Sequence, residues 1–226
     1  MRRSLVDVWN AYLDAEGRGL RAASLSVIEE LIKQLSLEDP DIRRRWVFEL
    51  VEGIVDSRSH AKIRFPLFEQ SILPELTAGV LSETPNCARW LAHFNQHFQS
   101  SKRFLQLLPD SMRTKVGLLL EALRVDPTDN RARRTLTEER ARYLTYTLHE
   151  LPAGVLYGND AATISECREL DELLGDFQKD IVLLEEPDIY SELIDACTFH
   201  FERYRRYLEA GCPGRAYRFY ASMPEA

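Results

Sequence analysis

The chain has 226 residues, of which 45% are hydrophobic and 29% charged, and its formal net charge at pH 7 is −7. This composition is typical of a folded globular protein and excludes a disordered or low-complexity chain. The longest apolar runs, such as residues 116–120, fall far short of the roughly 20 residues that span a bilayer. Because the first residues also contain no apolar signal core, we expect a cytoplasmic protein with no membrane association.

Apolar residues recur at helical spacing along nearly the whole chain, and the two-residue alternation of strands is scarce. The successive apolar stripes begin at Leu5, Leu25, Ile42, Phe65, Trp90, Met112, Ala132, Ile164 and Ile189. Many of the predicted helices begin with a proline beside an acidic residue, a combination that favours a first helical turn. Pro74 lies inside the fourth stripe and should kink or split that helix. The pattern predicts an all-α fold of about 9–10 helices.

Four predicted helix junctions share a leucine, a polar or acidic stretch and a proline. The prolines are Pro40, Pro85, Pro127 and Pro187, and their spacings are 45, 42 and 60 residues. The first two spacings match a stacked two-helix unit, although prolines also begin helices in any bundle. Because a helical hairpin cannot bury its apolar face alone, such units stack side by side. We therefore expect stacked antiparallel hairpins, as an α-solenoid or an irregular bundle. We also expect one domain over residues 1–226, with a weak subdivision near 100–110.

Residues 122–136, ALRVDPTDNRARRTL, combine an alanine-leucine helix end, an acidic turn with proline, and a new helix with alanine and leucine. This segment resembles the junction between consecutive tetratricopeptide repeats. The resemblance covers fifteen residues, and the 42–45 spacing of the first junctions is longer than the 34 residues of a standard repeat. It implies a divergent helical-repeat protein that binds other proteins, and it assigns no catalytic residue.

The sequence contains no local motif of a P-loop, a dinucleotide-binding fold or a serine nucleophile elbow. We therefore predict neither enzymatic activity nor a cofactor. His93 and His97 are four residues apart on one predicted helix and are weak candidates for a metal site. Packing at the border of the apolar face is the favoured interpretation, because no third and fourth ligands are evident. The four cysteines contain no C-x-x-C pair, so we expect reduced thiols, most of them in the core.

The predicted helix near 161–184 carries four carboxylates at helical spacing: Glu169, Glu172, Asp176 and Asp180. They lie opposite much of the apolar seam of that helix. They belong to a segment, residues 160–195, that holds 12 acids and two bases. The stripe is interpreted either as a solvated face or as a docking surface for a basic partner.

The stretch from His149 to Tyr157 follows a long predicted helix and interrupts the proline spacing. Long irregular segments in helical proteins are often functional. The residues that could line a pocket or rim there are Tyr143, Tyr146, His149, Glu150 and Tyr157. The alternative is a structural cap that closes the groove between two hairpins.

Arginines and tyrosines alternate in the last part of the chain, between Arg203 and Tyr220. Such a segment can stack bases and neutralise phosphates. The acidic net charge argues against a nucleic-acid partner, and the same residues could instead cover the last helical repeat.

Three functional hypotheses follow. The first is a non-enzymatic protein-interaction scaffold, such as an adaptor or an immunity or antitoxin-type protein, whose helical groove has an acidic rim and binds a basic protein. The second is an enzyme or small-ligand binder that uses the 149–157 loop, with or without a metal. The third is an RNA-associated protein that uses the arginine- and tyrosine-rich tail. The identity of the partner and the oligomeric state stay open.

Overall fold

The structure is a computed structural model that describes residues 3–57, 59, 61–151, 163–211 and 217–222. Helices make up most of this part of the chain and it contains no β-strand, so the prediction of an all-α fold is confirmed. No helix in these ranges is both long and apolar enough to cross a bilayer.

Contacts group the chain into two compact units, residues 1–129 and residues 130–226. That all 226 residues form one domain with a weak subdivision near 100–110 stays a prediction, as does the repeat period. The helices of unit 1 are α1 (Leu5–Gly17), α2 (Arg21–Leu37), α3 (Pro40–Val55), α4 (Phe65–Leu67), α5 (Leu73–Leu81), α6 (Cys87–His93), α7 (Asn95–Ser100), α8 (Lys102–Leu105) and α9 (Lys115–Val125). Those of unit 2 are α10 (Asn130–Glu150), α11 (Ile164–Leu183), α12 (Ser191–Glu209) and α13 (Tyr217–Ala221).

Helix starts follow the local chemistry of the sequence. Ser4 accepts a hydrogen bond from the backbone N–H of Asp7, whose carboxylate in turn accepts from the Ser4 backbone. Asp39 accepts from the Asp41 backbone immediately before Pro40 becomes the first residue of α3. These side chains satisfy N–H groups that the first helical turn leaves without partners. These helices therefore start where the sequence predicts, because the residues that set each start are its immediate neighbours.

The helix around Pro74 is distorted but not split, because helical backbone runs without a break from residue 65 to 81. Residues Phe68–Ile72 form a π-helical turn, and α5 begins at Leu73 with Pro74 in its first turn. Proline has no N–H to donate and its ring would collide with the carbonyl four residues earlier. The wider π-helical turn places the proline where its missing donor leaves no bond unmade.

The predicted helix from Trp90 to Phe98 is divided at Phe94, which was not expected. Helix α6 ends at His93 and α7 begins at Asn95. Trp90, Phe94 and Phe98 are nevertheless all buried. The burial differs on the two sides of the break, since α6 is buried at every residue from Cys87 to Ala92 whereas Phe98 is the buried residue of α7.

Helices α5 and α6 approach closely because residue 79 has no side chain. A Cβ at Gly79 would lie 2.3 Å from the Sγ of Cys87, which is fully buried. We expect Gly79→Ala to lower the free energy of unfolding by about 1–3 kcal/mol, because the packed core must shift to accept one methyl group. Urea unfolding followed by tryptophan fluorescence measures this, since all three tryptophans lie in unit 1.

The control is Gly53→Ala in α3, where a Cβ meets no atom within 4 Å. Because alanine favours a helix over glycine, this substitution should raise stability by about 0.5–1 kcal/mol. Equal effects of the two substitutions would contradict the close packing of α5 on α6.

Unit 2 is built on one apolar cluster shared by α10, α11, α12 and α13. Its buried members are Leu144, Leu151, Cys167, Leu170, Leu174, Phe177, Ile181, Cys197, Phe201, Tyr204 and Tyr217. The start of α10 meets the end of α11, since Arg133 is bonded to Asp180, while Tyr143 lies near Glu166 at the start of α11. These two helices are therefore antiparallel, as predicted for a hairpin.

Candidate functional site

The net negative charge of the chain lies mainly in unit 2. Residues 130–226 contain 18 acids and 12 bases, whereas residues 1–129 contain 18 acids and 17 bases. Unit 2 therefore carries a formal net charge of −6 out of −7. A field of one sign on one unit attracts partners of the opposite charge.

Helix α11 presents part of this charge to solvent. Thr163 and Glu166 begin the helix by reciprocal hydrogen bonds between side chain and backbone. One face is buried in the apolar cluster, and on the other side Glu169, Glu172 and Asp176 are exposed. Asp176 pairs with Lys179 at 3.0 Å and lies 3.5 Å from Arg140. Neither Glu169 nor Glu172 forms an ion pair within the described residues.

The fourth carboxylate of the predicted stripe, Asp180, is not on the exposed face. Its residue surface is only 6% exposed. Arg133 Nη1 donates to its Oδ1 at 2.9 Å, and Arg140 Nη1 donates to its Oδ2. The expectation of four solvent-facing carboxylates is therefore wrong for Asp180, because α10 covers that flank of α11 with two arginines.

The structure brings Tyr143 together with the acidic start of α11. Tyr143 is partly buried against the apolar cluster. Burial, and secondly the negative charge of nearby Glu169, raise the pKa of its hydroxyl. Tyr146, one turn further along α10, is largely exposed. Tyr143 is thus packed within unit 2, whereas Tyr146 is exposed and can contact a partner.

Only part of the predicted 149–157 site lies in the described structure. His149 is exposed, and its Nδ1 lies 3.0 Å from the Oε1 of Glu150. Tyr157 falls outside the described residues. Among the described residues, no hydrogen bond or ion pair joins this pair at the end of α10 to the exposed carboxylates of α11.

The helix junction predicted at Pro187 is the turn between α11 and α12, but the exposure of its apolar side chains was not predicted. Val182, Leu183 and Ile189 are 68%, 59% and 67% exposed, respectively. Val182 and Leu183 are apolar residues outside the apolar seam of α11, which is the only sequence signal for them. We call the residues from 182 to 195 the hairpin tip.

The two weak metal candidates belong to unit 1. His93 and His97 both line a pocket of about 270 Å³ with Ile54 and Ile63. The His97 ring lies 5.4 Å from that of Phe68, in keeping with a packing role. The part of the chain that the structure describes contains no group of three or more His, Cys, Asp or Glu side chains that could hold a metal ion.

The other candidates for a chemical or binding role, three cysteines and two tail tyrosines, are buried. Burial raises the pKa of the Cys87 and Cys197 thiols to about 12 and that of Cys167 to about 11, which keeps all three protonated at neutral pH. In the tail, Tyr204 and Tyr217 are buried with their rings 4.9 Å apart. These tyrosines build the core of unit 2 and are not free to stack bases.

The three tail arginines whose side chains the structure describes, Arg203, Arg205 and Arg206, are engaged within unit 2. Arg205 is bonded to Asp171 at 3.1 Å, and Arg206 is bonded to Glu202 at 2.5 Å. Arg203 donates to the backbone of Ala221 and stacks over Phe199. This arrangement matches the alternative in which the tail covers the end of the fold.

Comparisons with protein-family models, curated proteins and solved structures give no match to this chain.

Proposed function

We propose that this chain is a non-enzymatic interaction protein that binds a basic protein partner on unit 2. The binding face consists of the exposed carboxylates Glu169, Glu172 and Asp176 of α11 and the tyrosines Tyr143 and Tyr146 of α10. A divergent tetratricopeptide-like scaffold in the cytoplasm, acting as an adaptor or as an immunity or antitoxin-type protein, is the specific form of this proposal.

One observation carries the proposal: Glu169 and Glu172 are exposed carboxylates that form no ion pair within the described residues, on a unit whose acids outnumber its bases by six. Unit 1 also has exposed acids such as Glu49 and Glu52, but its 17 bases nearly balance its 18 acids. Uncompensated like charges raise the free energy of the free protein, and a basic partner relieves that repulsion. The face therefore favours cationic partners over anionic ones.

The neighbouring tyrosines add a second kind of contact. The exposed ring of Tyr146 can receive an arginine or lysine over its face. Tyrosine also supplies contact area at a small cost in conformational entropy, and for this reason it is enriched at protein interfaces. The combination of carboxylates and tyrosines fits an arginine- or lysine-rich protein surface.

We expect reversal of charge on α11 to slow association with the partner. The immobilised chain should retain a basic protein from an extract of the source cells. The association rate of that purified protein is then measured for the wild type and for Glu169→Lys combined with Glu172→Lys. A loss of about tenfold or more is expected at low salt, because electrostatic steering acts mainly on the association rate.

The matched control reverses two exposed acids of the same spacing in unit 1, by Glu49→Lys combined with Glu52→Lys in α3. The net charge changes equally, so only the location differs. An equal loss with both pairs would show an effect of net charge alone, and an unchanged rate with the α11 pair would refute the proposed face.

A further inference from the structure

The hairpin tip exposes three apolar side chains within eight consecutive residues. Val182 and Leu183 end α11, and Ile189 lies in the 3₁₀ turn Pro187–Tyr190 that leads into α12. The chain folds back between them, with the N–H of Glu186 donating to the carbonyl of Ile181 at 3.2 Å. Exposed apolar groups that are rimmed by polar residues mark interaction sites.

The charged residues of the hairpin tip, which we call its rim, are all acidic: residues 182–195 hold five acids and no base. Two bases lie beside the tip, since Glu186 is bonded to Arg134 at 2.6 Å and the exposed Lys179 precedes Leu183 by one helical turn. The other four acids, Glu185, Asp188, Glu192 and Asp195, are exposed and form no ion pair within the described residues. An apolar centre with this excess of carboxylates is complementary to an apolar stripe that is flanked by cations.

The tip also continues the acidic face of α11. Glu169, Asp176 and Leu183 are spaced by seven residues, which places them on one face of the helix. The first and the last are fourteen positions apart in the sequence, which corresponds to about 21 Å of helix. A straight element of that length, such as an α-helix of four turns, can contact the carboxylates and the apolar tip at once.

We propose that the occupant of this surface is a cationic amphipathic α-helix of the partner protein, whose apolar stripe covers Val182, Leu183 and Ile189. This proposal rests on the proposed function and names the ligand chemistry of that site. A pocket of about 420 Å³ between α10 and Tyr190, the neighbour of Ile189, is open to one side chain of such a helix.

Charge decides between the possible occupants. Nucleic acids and anionic lipid surfaces are repelled by the rim. A second copy that presents the same tip would bring five acids against five, which disfavours a symmetric dimer through this patch. Only a positively charged partner gains from both the apolar centre and its rim.

Fluorescence anisotropy with a labelled synthetic peptide tests the proposal on the full chain. The probe is a helical peptide with leucines on one face and lysines on the flanks, and a scrambled peptide of the same composition keeps its charge but loses the apolar stripe. We expect the amphipathic peptide to bind about tenfold or more tightly than the scrambled one, because only it can cover the apolar tip.

The tip variant combines Leu183→Ser with Ile189→Ser and should weaken binding of the amphipathic peptide by about tenfold or more. The matched control combines Leu37→Ser with Ile42→Ser in unit 1, where the side chains are 68% and 50% exposed. The control should leave the affinity unchanged. Circular dichroism melts confirm that both variants fold, which is expected because all four side chains are exposed.

A second tip variant changes the rim without weakening the fold. Glu185 has a φ of +59°, a backbone conformation that glycine adopts without strain. Glu185→Gly should therefore keep or raise the melting temperature while it weakens binding of the cationic peptide and reduces its salt dependence. Reduced binding in a more stable variant separates a role in docking from a role in folding.

The outcomes distinguish this inference from the proposed function. If the α11 charge reversal weakens peptide and partner binding but the tip variants do not, the acidic face stands and the apolar anchor is refuted. If the peptide binds no better than its scrambled form, the amphipathic helix is refuted as the occupant. If sedimentation shows self-association that Leu183→Ser and Ile189→Ser abolish, the occupant is a second copy and the proposal is overturned.

Discussion

Asp180→Ala is expected to lower the free energy of unfolding of unit 2 by about 3–5 kcal/mol, because it removes the buried carboxylate that two arginines share. The Arg133 and Arg140 side chains are 11% and 10% exposed, respectively. With Asp180 gone, the ion pair left to Arg140 among the described residues is its 3.5 Å contact to the half-exposed Asp176. A buried charge that loses its partner costs more than the pair contributed.

The measurement is hydrogen exchange of the amides in α10, α11 and α12, supported by melting curves from circular dichroism. Asp176→Ala is the matched control, since it removes a carboxylate one turn earlier on the same helix but at an exposed position. Its ion pair with Lys179 is a surface pair worth about 0–1 kcal/mol. Equal losses for the two substitutions would show that Asp180 is not the internal partner of the arginines.

A further variant separates charge from packing at this site. Asp180→Leu combined with Arg133→Met and Arg140→Met replaces the buried ionic group by apolar side chains of similar size. It should recover most of the stability that Asp180→Ala loses, because a desolvated ion pair and a well-packed apolar group contribute similar free energies. Failure to recover would indicate that the arginines stabilise unit 2 by bonds beyond those to Asp180.

Asp180 also shows the limit of what sequence periodicity can predict. The positions of the helices were predictable, because apolar spacing, helix-starting carboxylates and prolines act over a few residues. A helical pattern separates an apolar seam from the opposite side, but it does not say which flank a neighbouring helix covers. Arg133 and Arg140 precede Asp180 by 47 and 40 residues, so no local signal places them beside it.

The candidate binding face was predictable to a similar extent. Glu169 and Glu172 lie on the exposed side of α11 as expected, because their position depends only on the geometry of one helix. The tail tyrosines Tyr204 and Tyr217 were open to two interpretations, and the choice between them depended on α13 packing against α12. The apolar tip was missed, since an exposed valine or isoleucine has the same sequence pattern as a buried one.

Arg89→Ala is expected to lower the free energy of unfolding of unit 1 by about 3–5 kcal/mol. The Arg89 side chain is 7% exposed and binds three acceptors, of which Asp56 and Asp129 are distant in sequence and Asn86 is three residues away. Its Nε donates to Asp129 Oδ2 at 2.7 Å, and its Nη2 donates to Asn86 Oδ1 at 2.7 Å. Both of its Nη groups donate to the Asp56 carboxylate at the end of α3.

Removal of this guanidinium leaves two buried carboxylates close together without the cation that separates them. Side chains of Asp56 and Asp129 are each 8% exposed, so water cannot replace the lost hydrogen bonds at low cost. Asp56 keeps the hydrogen bond from Trp90 Nε1 at 3.0 Å. The fluorescence of Trp90 should therefore report the change directly, in addition to the shift of the urea midpoint.

Arg89→Lys distinguishes the geometry of the guanidinium from its charge. Lysine restores the positive charge, but one ammonium cannot reproduce a planar fork that bonds to Asp56 and Asp129 from opposite sides. Its loss of stability should lie between that of Arg89→Ala and that of the exposed control Arg45→Ala, which should stay within about 0.5 kcal/mol of the wild type. If Arg89→Lys matched the wild type, charge alone would hold these segments together. If Arg89→Lys were as unstable as Arg89→Ala, the planar guanidinium would be essential for holding these segments together. Their association would then depend on the direction of the hydrogen bonds rather than on electrostatic attraction.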